Sequence, residues 1–202
     1  MIIVTGGAGF IGTNLVRSLI ESDKQILIVE ELDRYTKKFE NIKNLEILDC
    51  LDHNIFLKDL HNGKYVNKID QIFHLGACSK TTEPDRDYIM DVNLNYSKKL
   101  LEYSANNNID MIYASSASVY GDGTIFKENS DNESSLNHYS ESKLLFDNHV
   151  RENITKIRSQ IVGMRYFNVY GPYEQHKEVM SSVAYHFYNQ FKQHGMLKLF
   201  RG

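Results

Sequence analysis

The chain has 202 residues, and its 23 lysines and arginines against 26 aspartates and glutamates leave a formal charge of −3. With 42% hydrophobic and 24% charged residues it is composed like a globular protein, which excludes collagen-like, coiled-coil and wholly disordered chains, and its length suits one domain with a real core. The slightly acidic balance argues against a general nucleic-acid binder, and no apolar run approaches the roughly 18 residues of a membrane-spanning helix.

In chain order, residues 1–5 read as a β-branched strand, 11–20 as an amphipathic helix and 25–29 as a second strand. Further strands are predicted at 45–48, 69–75, 111–114 and 160–164, and helices at 55–60, 88–105, 139–151 and 179–191. Strands alternating with helices imply βαβ units. The fold class is therefore α/β: a doubly wound, Rossmann-like parallel sheet covered on both faces. Residues 121–137 are polar and aperiodic and read as a surface loop or lid. Residues 197–200 read as one more strand, so an architecture extending past Gly202 is expected. The opening Met1-Ile2-Ile3-Val4-Thr5-Gly6 has no basic stretch and no cleavage pattern, and no secretory signal is expected. Cys50 and Cys78 lack CxxC spacing, which points to reduced thiols in the cytoplasm and to no metal site.

Chemistry concentrates at three places. Gly6-Gly7-Ala8-Gly9-Phe10-Ile11-Gly12 lies between the first strand and the first helix. Gly6 suits the tight turn, Gly9 the close approach of a pyrophosphate, and Gly12 the packing of helix on sheet, with phosphates received at the helix N-terminus. The second strand ends at Glu30 and Glu31, where a carboxylate accepts hydrogen bonds from an adenosine ribose, as NAD requires. Arg34, Lys37 and Lys38 follow and offer charge for a 2′-phosphate, as NADP requires; each taken singly is equally well a solvated loop cation. Finally, Tyr139 and Lys143 stand at i, i+4 on one helical face, downstream of Ser115 and Ser116 at a strand end. A phenol is a poor base near neutral pH, and a neighbouring ammonium together with an oxidised nicotinamide would favour its ionised form.

The residues that carry these motifs, with Phe73-His74-Leu75-Gly76-Ala77-Cys78-Ser79 and residues 114–121, 139–147 and 160–186, resemble the extended short-chain dehydrogenases/reductases. Residues 76–79 and 159–177 narrow the resemblance to the nucleotide-sugar epimerases that act at C6 of an ADP-linked heptose. The second of these stretches contains Arg165-Tyr166-Phe167-Asn168-Val169-Tyr170-Gly171-Pro172 and then His176-Lys177. The resemblance runs along nearly the whole chain. It implies an isomerase with a tightly held NADP (NAD as the alternative), supplying heptose for the lipopolysaccharide core. It further implies a nucleotide-sugar substrate, no nucleic-acid or membrane partner, and a homo-oligomer. Residues 1–202 would form the NAD(P)-binding domain, with 170–202 the start of the substrate-binding segment.

Residue by residue, Gly6, Gly9, Phe10, Ile11 and Gly12 would hold the cofactor, with Glu30 and Glu31 by its ribose and Lys38 (or Lys37) by a 2′-phosphate. Leu75, Gly76, Ala77, Cys78 and Ser79 would line it, Asn93 would stabilise the adjoining helix, and Val169 would touch it. Tyr139 and Lys177 would be the acid/base pair, Lys143 orienting Tyr139 and the nicotinamide ribose. Ser116, Asn168, Val179, His186, Phe200, Arg201 and Gly202 would touch the sugar nucleotide. The chain departs from the pattern at Leu75, where the family has an acid, at His53, where it has a base, and at Val179, where it has a serine. Two other readings stay open: another nucleotide-sugar epimerase or dehydratase, against the latter of which no acidic pair stands beside Ser116, or a cofactor-binding piece without turnover. The plain alternatives are a small buried Cys78, a solvated Lys177, a packed His186 and a core His74.

Overall fold

The computed structural model describes residues 1–32 and 37–199. Six strands form one parallel sheet in the order β3-β2-β1-β4-β5-β6. They are β1 (Ile2–Thr5), β2 (Ile26–Glu30), β3 (Asp49–Asp52), β4 (Gln71–His74), β5 (Asp110–Ser116) and β6 (Ile161–Tyr166). β1 is central, with Thr5 in register with Val29 on one side and His74 on the other. The chain winds outward from β1 to β3, then returns to β4 on the far side of β1. A crevice therefore opens at the carboxyl ends of β1 and β4.

Both flanks of a central strand are buried, so β1 and β2 are apolar almost throughout and their residues divide by period two. Ile3, Leu27 and Val29 face one layer, made by α2 (His53–His61), α4 (Tyr96–Asn106) and α5 (His138–Asn153), whose Phe56, Leu100 and Phe146 are at most 2% exposed. Ile2, Val4, Ile26 and Ile28 face the other layer, where Val16 of α1 (Phe10–Ile20) and Ile42 complete a second core. Cover on this face fades at β6. Met164 is 45% exposed, and α6 (Val183–His194) buries none of its residues.

Four sequence expectations shift. The third strand is at Asp49–Asp52, not 45–48. Leu45 and Ile47 instead pack against the second core from the preceding loop, while the edge strand itself is polar and half-buried. The helix expected at 88–105 begins as α3 (Arg86–Ile89), passes through a π-helical turn at Met90–Asn95 and continues as α4. The last helix starts at Val183, because Glu178 adopts φ 50°, ψ −116° and breaks the helical path. Residues 197–199 form no strand; Phe200 lies outside the described residues.

Candidate active site

The turn after β1 is shaped by contacts that no side chain could share. Gly6 has φ +70°, and a Cβ there would lie 2.7 Å from the backbone nitrogen of Gly76. A Cβ on Gly12 would stand 2.1 Å from the Gly6 carbonyl oxygen, so this glycine seats α1 on the turn itself rather than on the sheet. Gly9 differs. A Cβ there would meet only the Gly6 oxygen, at 3.1 Å, and no side chain caps α1, whose first turn has no acid. Space and the partial positive charge of a helix end are left for an anion.

At the end of β2, the Glu30 carboxylate accepts from Ala8 N–H at 3.2 Å and from the Lys38 ammonium at 2.8 Å. Lys37 is exposed and pairs with Glu178, while Arg34 lies outside the described residues. Beside this pair lies a pocket of about 170 Å³, lined by Glu31, His53, Cys78, Tyr88, Val92 and Tyr96 among others. The buried His53 Nδ1 and Tyr96 hydroxyl have no hydrogen-bond partner there. A glycine cradle, an uncapped helix end and a half-apolar pocket with two polar atoms lacking hydrogen bonds, His53 Nδ1 (3.6 Å from Asp52 Oδ2) and the Tyr96 hydroxyl, fit a dinucleotide. The sequence reading missed Tyr88, Val92 and Tyr96, because tyrosines on a long helix carry no local signal.

A chain of hydrogen bonds links this half of the crevice to the other. Gly76 N–H donates to Thr5 Oγ1, which lies 2.7 Å from His74 Nδ1; His74 Nε2 lies 2.7 Å from Ser97 Oγ, which donates to the Asn93 carbonyl. Since the Ser97 proton is spent on Asn93, His74 must donate through Nε2 and accept at Nδ1. Burial pulls its pKa down to about 3, in keeping with a neutral ring. Asn93, placed by the π-helical turn, clasps both Cys78 N–H and C=O and donates to Ser142 Oγ, which donates to the Tyr139 carbonyl. His74 is thus a core histidine, as the sequence suggested. Cys78 is half-buried and borders the pocket.

α5 opens on a capping box between Asn137 and Ser140, which sets Tyr139 in its first turn. Lys143, one turn on, is 6% exposed and donates to the Ala114 carbonyl at 2.9 Å. Burial pulls its pKa down to about 8, opposed by Asp147. Burial also raises the Tyr139 phenol; the Ser116 hydroxyl offsets part of this, and Cys78 adds to it. The Lys143 ammonium does not enter this balance, so the lowering expected from a neighbouring ammonium is not found in the chain by itself. Ser116 Oγ accepts from both the N–H and the hydroxyl of Ser118, which leaves its own proton for the Tyr139 phenol oxygen.

A cleft of about 510 Å³ gathers the pieces: Gly6, Gly9, Phe10, Ile11, Gly12, Glu30 and Lys38 at one end, then Leu75, Gly76, Ala77 and Ser79, then Ser116, Tyr139, Lys143, Val169 and Lys177. Lys177 is half-buried, with its ammonium 5.6 Å from the centre of the Phe10 ring, so a solvated loop lysine does not describe it. Its loop is held by Asn41, which donates to the Tyr173 carbonyl and meets His176, and by buried Glu174, which accepts from Gly171 N–H and the Ser182 hydroxyl. His176 and Met180 also line the cleft, and the sequence reading assigned them no role. Asn168 is exposed, Val179 is 87% exposed and His186 is half-buried on α6; none of these three lines the cleft, and His186 is not packed in a core. Arg201 and Gly202, like Phe200, lie outside the described residues. Among the described residues no cluster of His, Cys, Asp or Glu suits a metal ion, and no helix is long and apolar enough to cross a membrane.

A family model described as the NAD dependent epimerase/dehydratase family matches residues 2–202. The ADP-L-glycero-D-manno-heptose-6-epimerase of Thiobacillus denitrificans is 48% identical over 201 residues, which are 99% of this chain and 60% of that protein. The solved ADP-L-glycero-D-manno-heptose-6-epimerase of Helicobacter pylori is 31% identical with a TM-score of 0.86, over 99% of this chain and 65% of its own. The UDP-N-acetylglucosamine 4-epimerase of Methanobrevibacter ruminantium, solved with UDP-N-acetylmuramic acid, is 28% identical with a TM-score of 0.80, over 95% and 62%. The chain spans less than two thirds of the length of each.

Proposed function

The chain belongs to the NAD dependent epimerase/dehydratase family, and from that premise we propose that it serves epimerisation at C6 of an ADP-linked glycero-manno-heptose. The observation that carries this reading is one cleft bordered by Ser116, Tyr139, Lys143 and Lys177, two acid/base groups in reach of one dinucleotide site. The identity with two ADP-heptose 6-epimerases supports the choice of sugar.

Gly6, Gly9, Gly12 and Lys38 would hold a dinucleotide, and its nicotinamide would supply the hydride chemistry by which C6 is oxidised and re-reduced on the opposite face. Two faces require two proton-handling groups. Tyr139, as phenolate, takes the proton of the C6 hydroxyl, while the Ser116 hydroxyl donates to the same oxygen. Lys143, one turn along the helix with its ammonium 5.9 Å from the centre of the Tyr139 ring, would orient that phenol and the nicotinamide ribose. Lys177, on the loop fastened by Asn41 and Glu174, gives the proton to the ketone oxygen when hydride returns. Residues 170–202 begin the segment that holds the sugar nucleotide.

For the cofactor we propose NADP, with Lys38 the cation for its 2′-phosphate. The Glu30–Lys38 pair is the specific observation that favours NAD as the second reading, since Glu30 already takes that charge. Calorimetry with both cofactors decides: a clear preference for NAD overturns the NADP reading. ADP-heptose followed by proton NMR at C6 tests the reaction in the full-length protein. Turnover of UDP-linked hexoses in place of ADP-heptose would replace the proposed substrate by that of a 4-epimerase.

A further inference from the structure

Lys143 and Asp147 stand one turn apart on α5, 6% and 4% exposed. Two buried charges so placed need an account, because each alone would be costly to desolvate. Asp147 Oδ1 accepts from the Tyr113 hydroxyl at 2.9 Å; Oδ2 accepts from Ser115 Oγ at 2.7 Å and from Arg165 Nη2 at 3.3 Å. Arg165 is itself engaged by Glu133, whose side chain is 3% exposed and which also receives Arg151. Ion pairs run from Arg151 to Glu133 to Arg165 to Asp147, and Lys143 stands one helical turn from Asp147 in the same buried layer. Arg165 is shared between Glu133 and Asp147, so it does not consume the whole charge of Asp147, whose nearest lysine on the helix is Lys143.

We propose that Asp147 is a positioning residue, a buried counter-charge that keeps Lys143 cationic beside Tyr139 while it ties the ends of β5 and β6 to the helix bearing both. The inference rests on the reading of Lys143 as the group that orients Tyr139 and the ribose. Burial already draws the Lys143 proton off, and Asp147 is what opposes this. The other ionisable groups around the pair do not replace it. Tyr139 shares the helix, Tyr113 on β5 is a bound phenol, and His74 on β4 is neutral. Arg165 on β6, Lys177 across the cleft and Arg151 are cations and cannot serve as a counter-charge to Lys143. Cys78 faces Tyr139, and Glu133 is taken up by the two arginines.

The test reads the Lys143 proton directly in the 202-residue chain. Lysine side chains carry ¹⁵N, the Lys143 signal is identified by its loss in Lys143→Met, and pH is raised from 6 to 11 without cofactor. Asp147→Asn keeps one acceptor oxygen but not the charge, and it is expected to move the Lys143 titration down by roughly one pH unit or more. Glu133→Gln leaves Arg165 to draw on Asp147, and it is expected to move the titration the same way by less. An Asp147 that served packing alone would lower the melting temperature and leave that titration in place. A folded Asp147→Asn chain whose Lys143 titrates with the wild type overturns the proposal. Should that variant not fold, Glu133→Gln decides, and an unmoved Lys143 overturns it. No substrate is involved, so this failure is distinct from that of the epimerase reading, which the ADP-heptose assay decides.

Discussion

Within the turn after β1, the three glycines of the motif are not equivalent. A Cβ at Gly6 or Gly12 runs into backbone below 3 Å, whereas at Gly9 it meets only the Gly6 carbonyl oxygen, at 3.1 Å, and otherwise faces the cleft. Gly9→Val is therefore expected to fold and to lose cofactor binding; calorimetry on a variant with normal circular dichroism checks this, and unchanged affinity would move the pyrophosphate elsewhere. Tyr139→Phe and Lys177→Met, in the full-length protein, should each lower turnover roughly 10²–10⁴-fold and leave cofactor affinity nearly intact, as expected when a positioned acid or base is removed. Normal C6 inversion by Lys177→Met in the NMR assay would return that lysine to a binding role. That Gly9, Tyr139 and Lys143 border one cleft was legible because each motif is local, seven residues holding the glycine turn and five holding Tyr139 and Lys143, whereas Lys177 was named only through the resemblance. Tyr96 and His53 were not legible as pocket residues, since only the sheet brings them together, and Asp147 was not legible because its partners come from β5 and β6.

Among the elements, the wide turn at Met90–Asn95 does the most for the site. It carries Asn93, which holds Cys78 by both backbone groups and reaches Ser142. Asn93→Ala leaves a half-buried N–H and C=O without partners, a loss of about 1–3 kcal/mol. The expected outcome is a lower melting temperature together with weaker cofactor binding, because Cys78 borders the pocket at the end of β2 where the dinucleotide is proposed to bind. A variant that loses stability but keeps its affinity would confine Asn93 to a structural role. Helical periodicity over 88–105 could not show this turn: one extra residue shifts the apolar stripe without breaking it. β3 was misplaced for the opposite reason. Its apolar neighbours Leu45 and Ile47 reach the core from a loop, while an edge strand can be Asp-Cys-Leu-Asp.

For the molecule as a whole, acid should unfold the chain earlier than its carboxylates alone require. Folded His74 holds its pKa near 3, against about 6.5 when unfolded, so it stabilises the fold above pH 6.5 and that contribution is lost as pH falls toward 3. The slope is about 1.4 kcal/mol per pH unit for the one proton. Denaturant melts from pH 7 to 4.5 are expected to show it, and His74→Asn, which cannot take that proton, should flatten the curve by one proton. Equal slopes would mean that the ring is already charged when folded. Strand order has a different consequence, one that concerns time. β1 lies in the middle of the sheet, yet Gly76, which closes the Gly6 turn, follows it by about 70 residues of synthesis. At roughly 5–20 residues per second, the first strand waits seconds with one edge unpaired, open to pairing with a neighbouring chain. The glycine-turn half of the crevice can close once β4 is in place, well before α5 brings Tyr139 and the loop after β6 brings Lys177. A chaperone that shields β1 in that interval would raise the yield of folded protein without touching its final stability.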